Sequence, residues 1–449
     1  MQFHASDELI KQVKHLIEVE GDTNLRKMLS EIHFADVAEI ISALSLSQAT
    51  YIIKLLDSEK TSEALTELED DFRERILEKL SAKEIAEELE EMDSDDAADI
   101  IAELPEGRAE KVIAQIEDEK RAEDIKELLS YDEDTAGGLM AKELVKVKET
   151  WTVAGCVREM RRQAEKVTRV HSIYVVDKEE KLKGRLSLKD LLTASTKTHI
   201  SDIYIPKVDS VDVDTDGEEV SRIMQKYDLE AIPVVDHNGV LVGRVTIDDM
   251  VDFIVDEAEK DYQLAAGISQ DVEADDNVWE LTRARLPWLV LGLFGGLGSV
   301  SIMGGFHEAL EKYPDLFFFT PLIAAMAGNV GVQSSAIIVQ GLANDNVKGS
   351  LVNRLLKEIG LSLINGVALA VLLILYGMIR QYDLLFNITV AAALILVIIV
   401  AALVGTFVPI ILDKRGIDPA IATGPFITTS NDIFGIYLFF YIAKLVLGF

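Results

Sequence analysis

The sequence has a single cysteine, Cys156, among 449 residues. One cysteine excludes an internal disulfide framework and is typical of a soluble part that lies in a reducing compartment. Basic residues are also few, with 44 Lys and Arg against 77 Asp and Glu. The resulting net charge of −33 argues against nucleic acid or an anionic lipid surface as a partner of the soluble part. The first twenty residues contain no apolar run, so we expect no cleavable signal.

Groups that could carry catalysis are sparse. His4, His15 and His33 are scattered, and none has a cysteine or a second histidine at metal-ligand spacing. The sequence also shows no nucleophile–base pair and no glycine-rich phosphate loop. We therefore expect that the protein is not an enzyme.

Carboxylates are abundant, and their distribution is uneven. Residues 286–449 contain eight Lys or Arg and nine Asp or Glu, a net charge of −1, so −32 lies on residues 1–285. Most of these carboxylates are expected to be solvated surface. A nearly neutral apolar part joined to an acidic soluble part suggests a cation transporter that senses the concentration of its own substrate.

The last third of the chain has five apolar stretches long enough to cross a lipid bilayer, which takes roughly 20 helical residues. These stretches are residues 286–306, 316–340, 359–379, 384–412 and 419–443. Continuous apolar runs favour helices, because a helix satisfies its own backbone polar groups in lipid. We therefore predict a multi-pass protein of the cell membrane.

The loop cations predict the orientation, because Lys and Arg are enriched on the cytoplasmic side. The side that carries the soluble region has Arg283, Arg285, Lys348, Arg354, Lys357, Lys414 and Arg415, and the other side has Lys312, Arg380 and Lys444. The N-terminus is then cytoplasmic and the C-terminus outside.

Two acidic residues of this part are candidate cation ligands. Asp432 lies within the fifth stretch, where an ionisable side chain is costly unless it faces water or a partner. A pore position is favoured over a structural hydrogen bond, because pairing with Lys444 would span about 18 Å of helix. Asp418 precedes Pro419 at the start of the same stretch, where it either caps a helix or binds a cation at the cytoplasmic mouth.

The soluble part has two kinds of internal repeat. Residues 35–44 are echoed by 82–89 and 96–104, each an amphipathic pattern of short helices that stack into a superhelix. Between 138 and 256, a pattern of strand, turn, strand and helix start occurs twice, about sixty residues apart. In the second copy, Asn238 and Gly239 form a hairpin signal.

The two copies resemble a tandem pair of CBS domains, which are α/β modules. Many such pairs bind adenosine nucleotides through a Ser/Thr-x-x-Asp signature. The positions Ser187 and Asp190 match it, as do Thr246 and Asp249. The resemblance implies ATP or another adenosine nucleotide as a ligand at Ser187 and Asp190. The alternative is that Ser187 and Thr246 only cap the helices that follow them.

The order of a helical array, the segment Tyr-Asp-Glu-Asp-Thr-Ala-Gly-Gly-Leu-Met at 131–140, the CBS pair and five apolar stretches resembles the MgtE family of magnesium transporters over essentially the whole chain. The second stretch contributes Ala-Gly-Asn-Val-Gly-Val-Gln at 327–333. The resemblance implies a multidomain protein. Its parts are an all-α superhelical N domain (1–130), an α/β CBS pair (131–200 and 201–256), a connecting plug helix (257–284) and a five-helix transmembrane domain (285–449).

The resemblance also implies a homodimeric Mg2+ channel that cytoplasmic Mg2+ closes. Matched by motif, Asp432 is the pore carboxylate, with Asn329 and Thr428 as further pore-lining residues. The sensing carboxylates are Glu63, Asp95, Asp99, Asp216, Glu218, Asp228, Asp249, Asp252, Glu257 and Asp261, and Asp418 lies at the cytoplasmic end of the pore. Gly424 and Lys260 depart from the family pattern, which puts one pore ligand and one sensing ligand in doubt.

Residues 249–267 have the apolar spacing of an amphipathic helix that leads to the membrane part. Its acidic face is either held by Mg2+ or simply solvated.

Oxygen ligands suit Mg2+, which demands octahedral coordination and releases water reluctantly. They also bind Co2+ and Mn2+, so a transporter of another divalent cation is an alternative. A membrane-anchored sensor of ions or nucleotides without transport is a third hypothesis, in which Asp432 is structural.

Overall fold

The computed structural model describes residues 5–449 except 165, 166, 168, 271, 273–275, 344–346, 348 and 349. Lys348, one of the loop cations used to predict orientation, lies outside the described residues. The chain forms two compact units, Met1–Val255 and Asp256–Phe449, and each is described by itself.

The first unit begins with ten short helices, as the repeats predict. Apolar side chains at helical spacing, such as those of Ile40, Ile52 and Ile76, are fully buried between them. Polar caps limit the helix length: the Ser81 hydroxyl accepts from the Glu84 N–H at 3.2 Å, and the Glu84 carboxylate accepts from the Ser81 N–H at 2.6 Å. The helices are α1 (Asp7–Glu18), α2 (Asp22–Ser30), α3 (Phe34–Ser42), α4 (Leu46–Leu55), α5 (Ser58–Thr66), α6 (Asp70–Leu77), α7 (Ala82–Leu89), α8 (Ser94–Ala102), α9 (Glu106–Ile113) and α10 (Glu119–Leu128).

Two small sheets follow, one for each copy of the strand pattern. The first copy contains β1 (Val145–Lys148), α11 (Val153–Ala164), β2 (Ile173–Val176), β3 (Leu182–Leu186), α12 (Leu188–Thr193), a 3-10 turn (Ile200–Asp202) and β4 (Ile205–Pro206). The second contains β5 (Val211–Asp212), α13 (Gly217–Tyr227), β6 (Ala231–Val235), β7 (Leu241–Thr246) and α14 (Ile247–Ala266).

The two copies share one topology. In each, the first strand runs parallel to the second and the second runs antiparallel to the third, with Val145 opposite Ile173 and Val211 opposite Val234. The predicted hairpin is present, and Gly239 adopts a φ of +79° that suits glycine. The copies meet through their hairpins, where the Leu182 N–H donates to the Gly239 carbonyl at 3.0 Å.

The segment before β1 lies on the second sheet rather than the first. Ala141 exchanges both backbone hydrogen bonds with Arg244 of β7, at 2.8 and 2.9 Å, and the Gly137 N–H donates to the Val213 carbonyl at 2.8 Å. A side chain at Gly137 would meet the Tyr131 ring, so this position requires glycine. The link from the N domain therefore docks on the second CBS copy before the chain builds the first.

The second unit holds the C-terminal part of α14 and the membrane helices. They are α15 (Val278–Gly305), α16 (His307–Lys312), α17 (Asp315–Ala343), α18 (Leu351–Ile379), α19 (Leu384–Asp413), a 3-10 turn (Pro419–Ala422) and α20 (Gly424–Leu447). Five of these helices, α15 and α17–α20, are long and apolar enough to cross a membrane. Of these five helices, α19 (the fourth apolar stretch) is the most buried, whereas α18 (the third) is exposed along much of its length.

Helix α17 crosses α19 and α20 closely at Gly331. A Cβ on Gly331 would overlap the Asn431 side chain of α20, and a Cβ on Gly405 of α19 would overlap the Gly331 backbone. Asn431 is 1% exposed, and its amide atoms have no hydrogen-bond partner among the residues that the structure describes. Small residues thus let three helices approach one another, as is common where membrane helices pack.

Candidate functional site

A cluster of carboxylates forms where α8 of the N domain meets the second CBS copy. Oxygens of Asp93, Asp95 and Glu143 all lie within 4.8 Å of one another. Asp93 is the N-cap of α8 and Asp95 lies in its first turn, where the helix dipole favours negative charge. Glu143 is fixed by Ser94, whose N–H and hydroxyl donate to its carboxylate at 3.1 and 2.7 Å.

The second CBS copy contributes one cation and one further acid to this cluster. The guanidinium of Arg244, which is 4% exposed, donates to the Glu143 carbonyl at 2.5 Å and lies 3.3 Å from the Asp93 carboxylate. Asp249, at the start of α14, accepts a hydrogen bond from the Thr246 hydroxyl. The cluster therefore assembles residues from three separate parts of the sequence.

The carboxylates of the cluster hold their protons unusually well. Burial, followed by the charge of Asp249, raises the pKa of Asp95 and raises the pKa of Asp96 to about 8. Burial and the charge of Glu133 raise the pKa of Asp99 to about 7, and burial raises the pKa of Asp249. Carboxylates that repel each other in a buried place favour a bound proton or a bound cation. Because their donors are all oxygen atoms, they suit a hard divalent cation such as Mg2+.

The structure brings some of the predicted sensing residues to this cluster. Asp95 belongs to it, the charge of Asp249 acts on Asp95, and the charge of Asp99 acts on the neighbouring Asp96. Burial followed by the charge of Asp93 raises the pKa of Glu63 on α5. Asp252 lies one turn further along α14, where burial and the charge of Asp248 raise its pKa.

Three other predicted residues lie on α13, away from this cluster. Asp216 caps the start of α13 and accepts from the Glu218 N–H at 2.9 Å, whereas Asp228 ends the helix with a φ of 50°. The eleven residues of α13 separate the two ends by about 16 Å. Within one chain, Asp228 is therefore not brought together with Asp216 and Glu218.

A further group near these residues contains Asp212, Asp214 and His237. The His237 Nδ1 lies 3.1 Å from an Asp212 oxygen and its Nε2 lies 3.5 Å from an Asp214 oxygen. Each ring nitrogen thus faces a carboxylate, and hydrogen bonding of the ring explains the arrangement.

Asp261 and Asp418 interact in the second unit. Burial, then the charges of Asp418 and Glu257, raise the pKa of Asp261 to about 6. Asp418 also caps the 3-10 turn, accepting from the Ala420 N–H at 2.7 Å, so the capping alternative is correct for one of its oxygens.

Lys260 lies 3.3 Å from the Glu257 carboxylate, so the departure at this position places a cation beside a predicted ligand. Gly424 packs against the backbone of Ala265 with no room for a Cβ.

The predicted pore residues lie on helices α17 and α20. A Cβ on Gly328 of α17 would lie 3.5 Å from Thr428 Cγ2 and 3.7 Å from Asp432 Oδ1, so these side chains share one face of α20 beside Gly328. The Thr428 hydroxyl donates to its own helix, to the Gly424 and Pro425 carbonyls at 3.2 and 3.1 Å. Asn329 is exposed on α17.

The two nucleotide signatures differ in the structure. The Thr246 hydroxyl donates to the Asp249 carboxylate, which also accepts from the Thr246 N–H at 3.2 Å. Ser187 stands at the N-cap of α12, but its side chain makes no capping hydrogen bond within the part of the chain that the structure describes. The hydroxyl of Ser187 is therefore the better placed of the two to contact a ribose together with Asp190.

Sequence reasoning missed Asp93, Asp96, Glu143 and Arg244. The signal for Asp96 was present, because it adjoins Asp95 in the first turn of a helix. Glu143 and Arg244 carry no local signal, since they join the cluster through contacts between residues about 50 and 150 positions apart in the chain. Such partners follow only from the fold.

Family models match the N domain, both CBS copies and most of the membrane helices. The MgtE family model, described as a divalent cation transporter, matches residues 320–442, the MgtE intracellular N domain matches 32–134, and CBS domains match 136–197 and 200–256. The magnesium transporter MgtE of Bacillus subtilis is 38% identical over 317 residues, which cover 70% of each chain. The magnesium transporter MgtE of Thermus thermophilus is 38% identical over 323 residues, covering 71% of this chain and 72% of that one.

The chain belongs to the MgtE family. Solved structures agree with its fold: the cytosolic domain of the Mg2+ channel MgtE in complex with ATP is 37% identical, with a TM-score of 0.52, and covers 55% of this chain and all of that one. The soluble part of a magnesium transporter is 29% identical, with a TM-score of 0.51 over 56% of this chain and 99% of that one. The multidomain fold class predicted from the sequence is therefore confirmed, as is a multi-pass protein with a CBS pair.

Proposed function

We propose that this MgtE family member conducts Mg2+ into the cytoplasm and closes when cytoplasmic Mg2+ binds to its soluble carboxylates. The observation that carries the proposal is the cluster of Asp93, Asp95 and Glu143 beside Asp249. Its oxygens repel one another when empty, and a divalent cation relieves that repulsion. Glu63 on α5 and Asp99 on α8 add carboxylates of the N domain, and Asp252, Glu257 and Asp261 follow Asp249 in the sequence of α14.

The proposed pore is formed by two copies of the chain around a symmetry axis. Two Asp432 carboxylates, one from each copy, attract a hydrated ion without trapping it, and Thr428 and Asn329 supply further oxygens. A homodimer is also supported by α14, whose apolar side chains Val251, Ile254 and Tyr262 are 51%, 46% and 77% exposed in the single chain. Asp216, Glu218 and Asp228 of α13 are exposed in the single chain, and we assign them to Mg2+ sensing in the same dimer.

We further propose that ATP or another adenosine nucleotide binds at Ser187 and Asp190. The similar cytosolic domain was solved with ATP, and the Ser187 hydroxyl makes no cap within the described residues. The loop cations support a cytoplasmic N-terminus and an outside C-terminus.

Flux into liposomes tests the transport proposal. We expect the wild-type chain to carry Mg2+, and Asp432→Ala to lower the rate at least tenfold, because the pore loses the charge that attracts the ion. Asp383→Asn is the matched control, since Asp383 only caps α19 by accepting from the Leu385 N–H at 2.9 Å. Competition with Co2+ and Mn2+ separates the Mg2+ transporter from a transporter of another divalent cation. A wild-type chain that carries no divalent cation would overturn the proposal in favour of a sensor.

A further inference from the structure

Glu358 is a half-buried ionisable residue in the second turn of the membrane helix α18. Helix α18 begins at Leu351, eight residues before the apolar stretch that the sequence predicts, so Glu358 lies within the helix rather than in a loop. It is seven residues from the middle of α18, or about 10 Å at about 1.5 Å per residue. A hydrocarbon core extends about 15 Å to each side of its middle, so Glu358, directly after Lys357, lies in the outer third of the span.

The Glu358 carboxylate has a partner on a different helix. The Ser334 hydroxyl of α17 donates to Glu358 Oε1 at 2.6 Å, and Ser334 is 6% exposed. Ser334 lies five residues from the middle of α17, so the bond is formed about 8 Å from the centre of that helix. An acid at such depth is retained where it has a specific task and a specific partner.

The bond acts on the polar segment of α17 that passes Asp432. Along this segment, Gly328 lies beside Asp432, Gly331 contacts α19 and α20, and Ser334 bonds to α18. Because Gly331 carries no side chain, it lets the helices approach closely but forms no side-chain hydrogen bond that would fix the rotation of α17. A hydrogen bond at Ser334, three residues or just under one turn further on, resists that rotation directly.

We propose that Glu358 is a positioning residue that sets the rotation of α17 and so keeps Gly328 beside Asp432. The proposal rests on the proposed transport function. This role requires a hydrogen-bond acceptor at the end of a side chain as long as that of glutamate. The side-chain carbonyl of glutamine also supplies such an acceptor. The negative charge of Glu358 is not required.

Mg2+ flux through variants in liposomes, measured at low internal Mg2+, shows whether position 358 requires a hydrogen-bond acceptor or a negative charge. We expect Glu358→Leu and Ser334→Ala each to lower the maximal Mg2+ flux about threefold to tenfold, the effect of one interhelical hydrogen bond in a membrane. The Mg2+ concentration at half-maximal flux should stay within about twofold, because Asp432 is intact. Glu358→Gln should restore the wild-type rate, because its carbonyl accepts the bond from Ser334. The double variant should be no slower than the slower single variant, because both changes break the same bond.

Ser301→Ala is the control, since the Ser301 hydroxyl donates at 2.9 Å to Leu297 of its own helix. Its flux should equal that of the wild type. Ser334→Ala removes a single oxygen and keeps the result readable if Glu358→Leu fails to fold. Wild-type flux in Ser334→Ala, or a Glu358→Gln variant as slow as Glu358→Leu, would overturn the inference. Both results leave the transport proposal standing, which fails only if the wild-type chain itself carries no divalent cation.

Discussion

The buried carboxyl group of Glu88 makes the stability of the N domain depend on pH. It is 7% exposed on α7 and accepts from the Thr61 hydroxyl of α5 at 2.5 Å. Burial raises its pKa to about 7 from an ordinary value of 4.5. The folded N domain therefore holds a proton on Glu88 that the unfolded chain has already released at neutral pH.

The sign of the resulting pH dependence is definite. Between the unfolded and the folded pKa values, the folded state binds more protons, so the contribution of Glu88 to stability falls as pH rises from about 4.5 to about 7. We expect Glu88→Gln, which stays neutral, to stabilise α5 and α7 by roughly 1–3 kcal/mol at pH 8 and much less at pH 5. Hydrogen exchange of these two helices in the full chain, compared with the wild type at the same pH, measures the difference. An equal difference in protection between variant and wild type at pH 5 and pH 8 would refute the assignment, and the exposed Glu78→Gln, outside these two helices, should show no change.

At the scale of elements, α14 is the continuous link in the sequence between the carboxylate cluster and the membrane helices. It runs from Ile247 to Ala266 without a proline or glycine, carrying Asp249 near its start and Asp261 near its end. An unbroken helix transmits a displacement of one end to the other, because its backbone hydrogen bonds resist bending.

Ala258→Pro tests this role of α14. Proline removes one backbone hydrogen bond and clashes with the preceding turn, at a cost of about 3 kcal/mol. We expect flux at low internal Mg2+ to persist and inhibition by high internal Mg2+ to be largely lost, because Asp249 and Asp261 no longer move together. Ala258→Ser keeps the helix and should retain inhibition. Full inhibition in the proline variant would show that the signal does not pass along α14.

Sequence patterns predicted the elements better than they predicted their boundaries. The repeat at 82–89 matches α7 residue for residue, because caps and apolar spacing act within one helix. The third apolar stretch was placed at 359, whereas α18 begins at Leu351, because charged residues in the first turns of a membrane helix hide its start from a hydropathy reading. That error concealed Glu358. Asp95 and Asp249 were found by family resemblance, but their partner Arg244 required the three-dimensional fold.

For the whole molecule, the charge of −32 on residues 1–285 matters only where the fold concentrates it. We expect the triple variant Asp95→Asn, Asp99→Asn and Asp249→Asn to conduct normally at low internal Mg2+ and to resist inhibition by high internal Mg2+. The half-inhibiting concentration should rise at least tenfold, because the divalent cation loses three of its oxygen charges. Flux at several internal Mg2+ concentrations measures this shift.

A charge-matched control separates the cluster from bulk charge. Glu74, Glu78 and Glu110 are exposed on the N domain, and changing all three to Gln removes the same total charge. Exposed carboxylates interact weakly with distant groups at physiological ionic strength, so inhibition should be unchanged. If both triple variants lost inhibition equally, the total charge rather than the cluster would be responsible.

The docking of residues 137–141 on the second CBS copy determines the order in which parts of the chain can fold during synthesis. Ala141 and Glu143 leave the ribosome about a hundred residues before Arg244, the strand residue that pairs with them. The ten helices of the N domain and the first CBS sheet can fold during that interval, because domains form as units during synthesis. The carboxylate cluster is closed only when Arg244 and Asp249 emerge, roughly thirty residues before α15 begins. The carboxylate cluster is thus completed at about the time that the first membrane helix must be inserted.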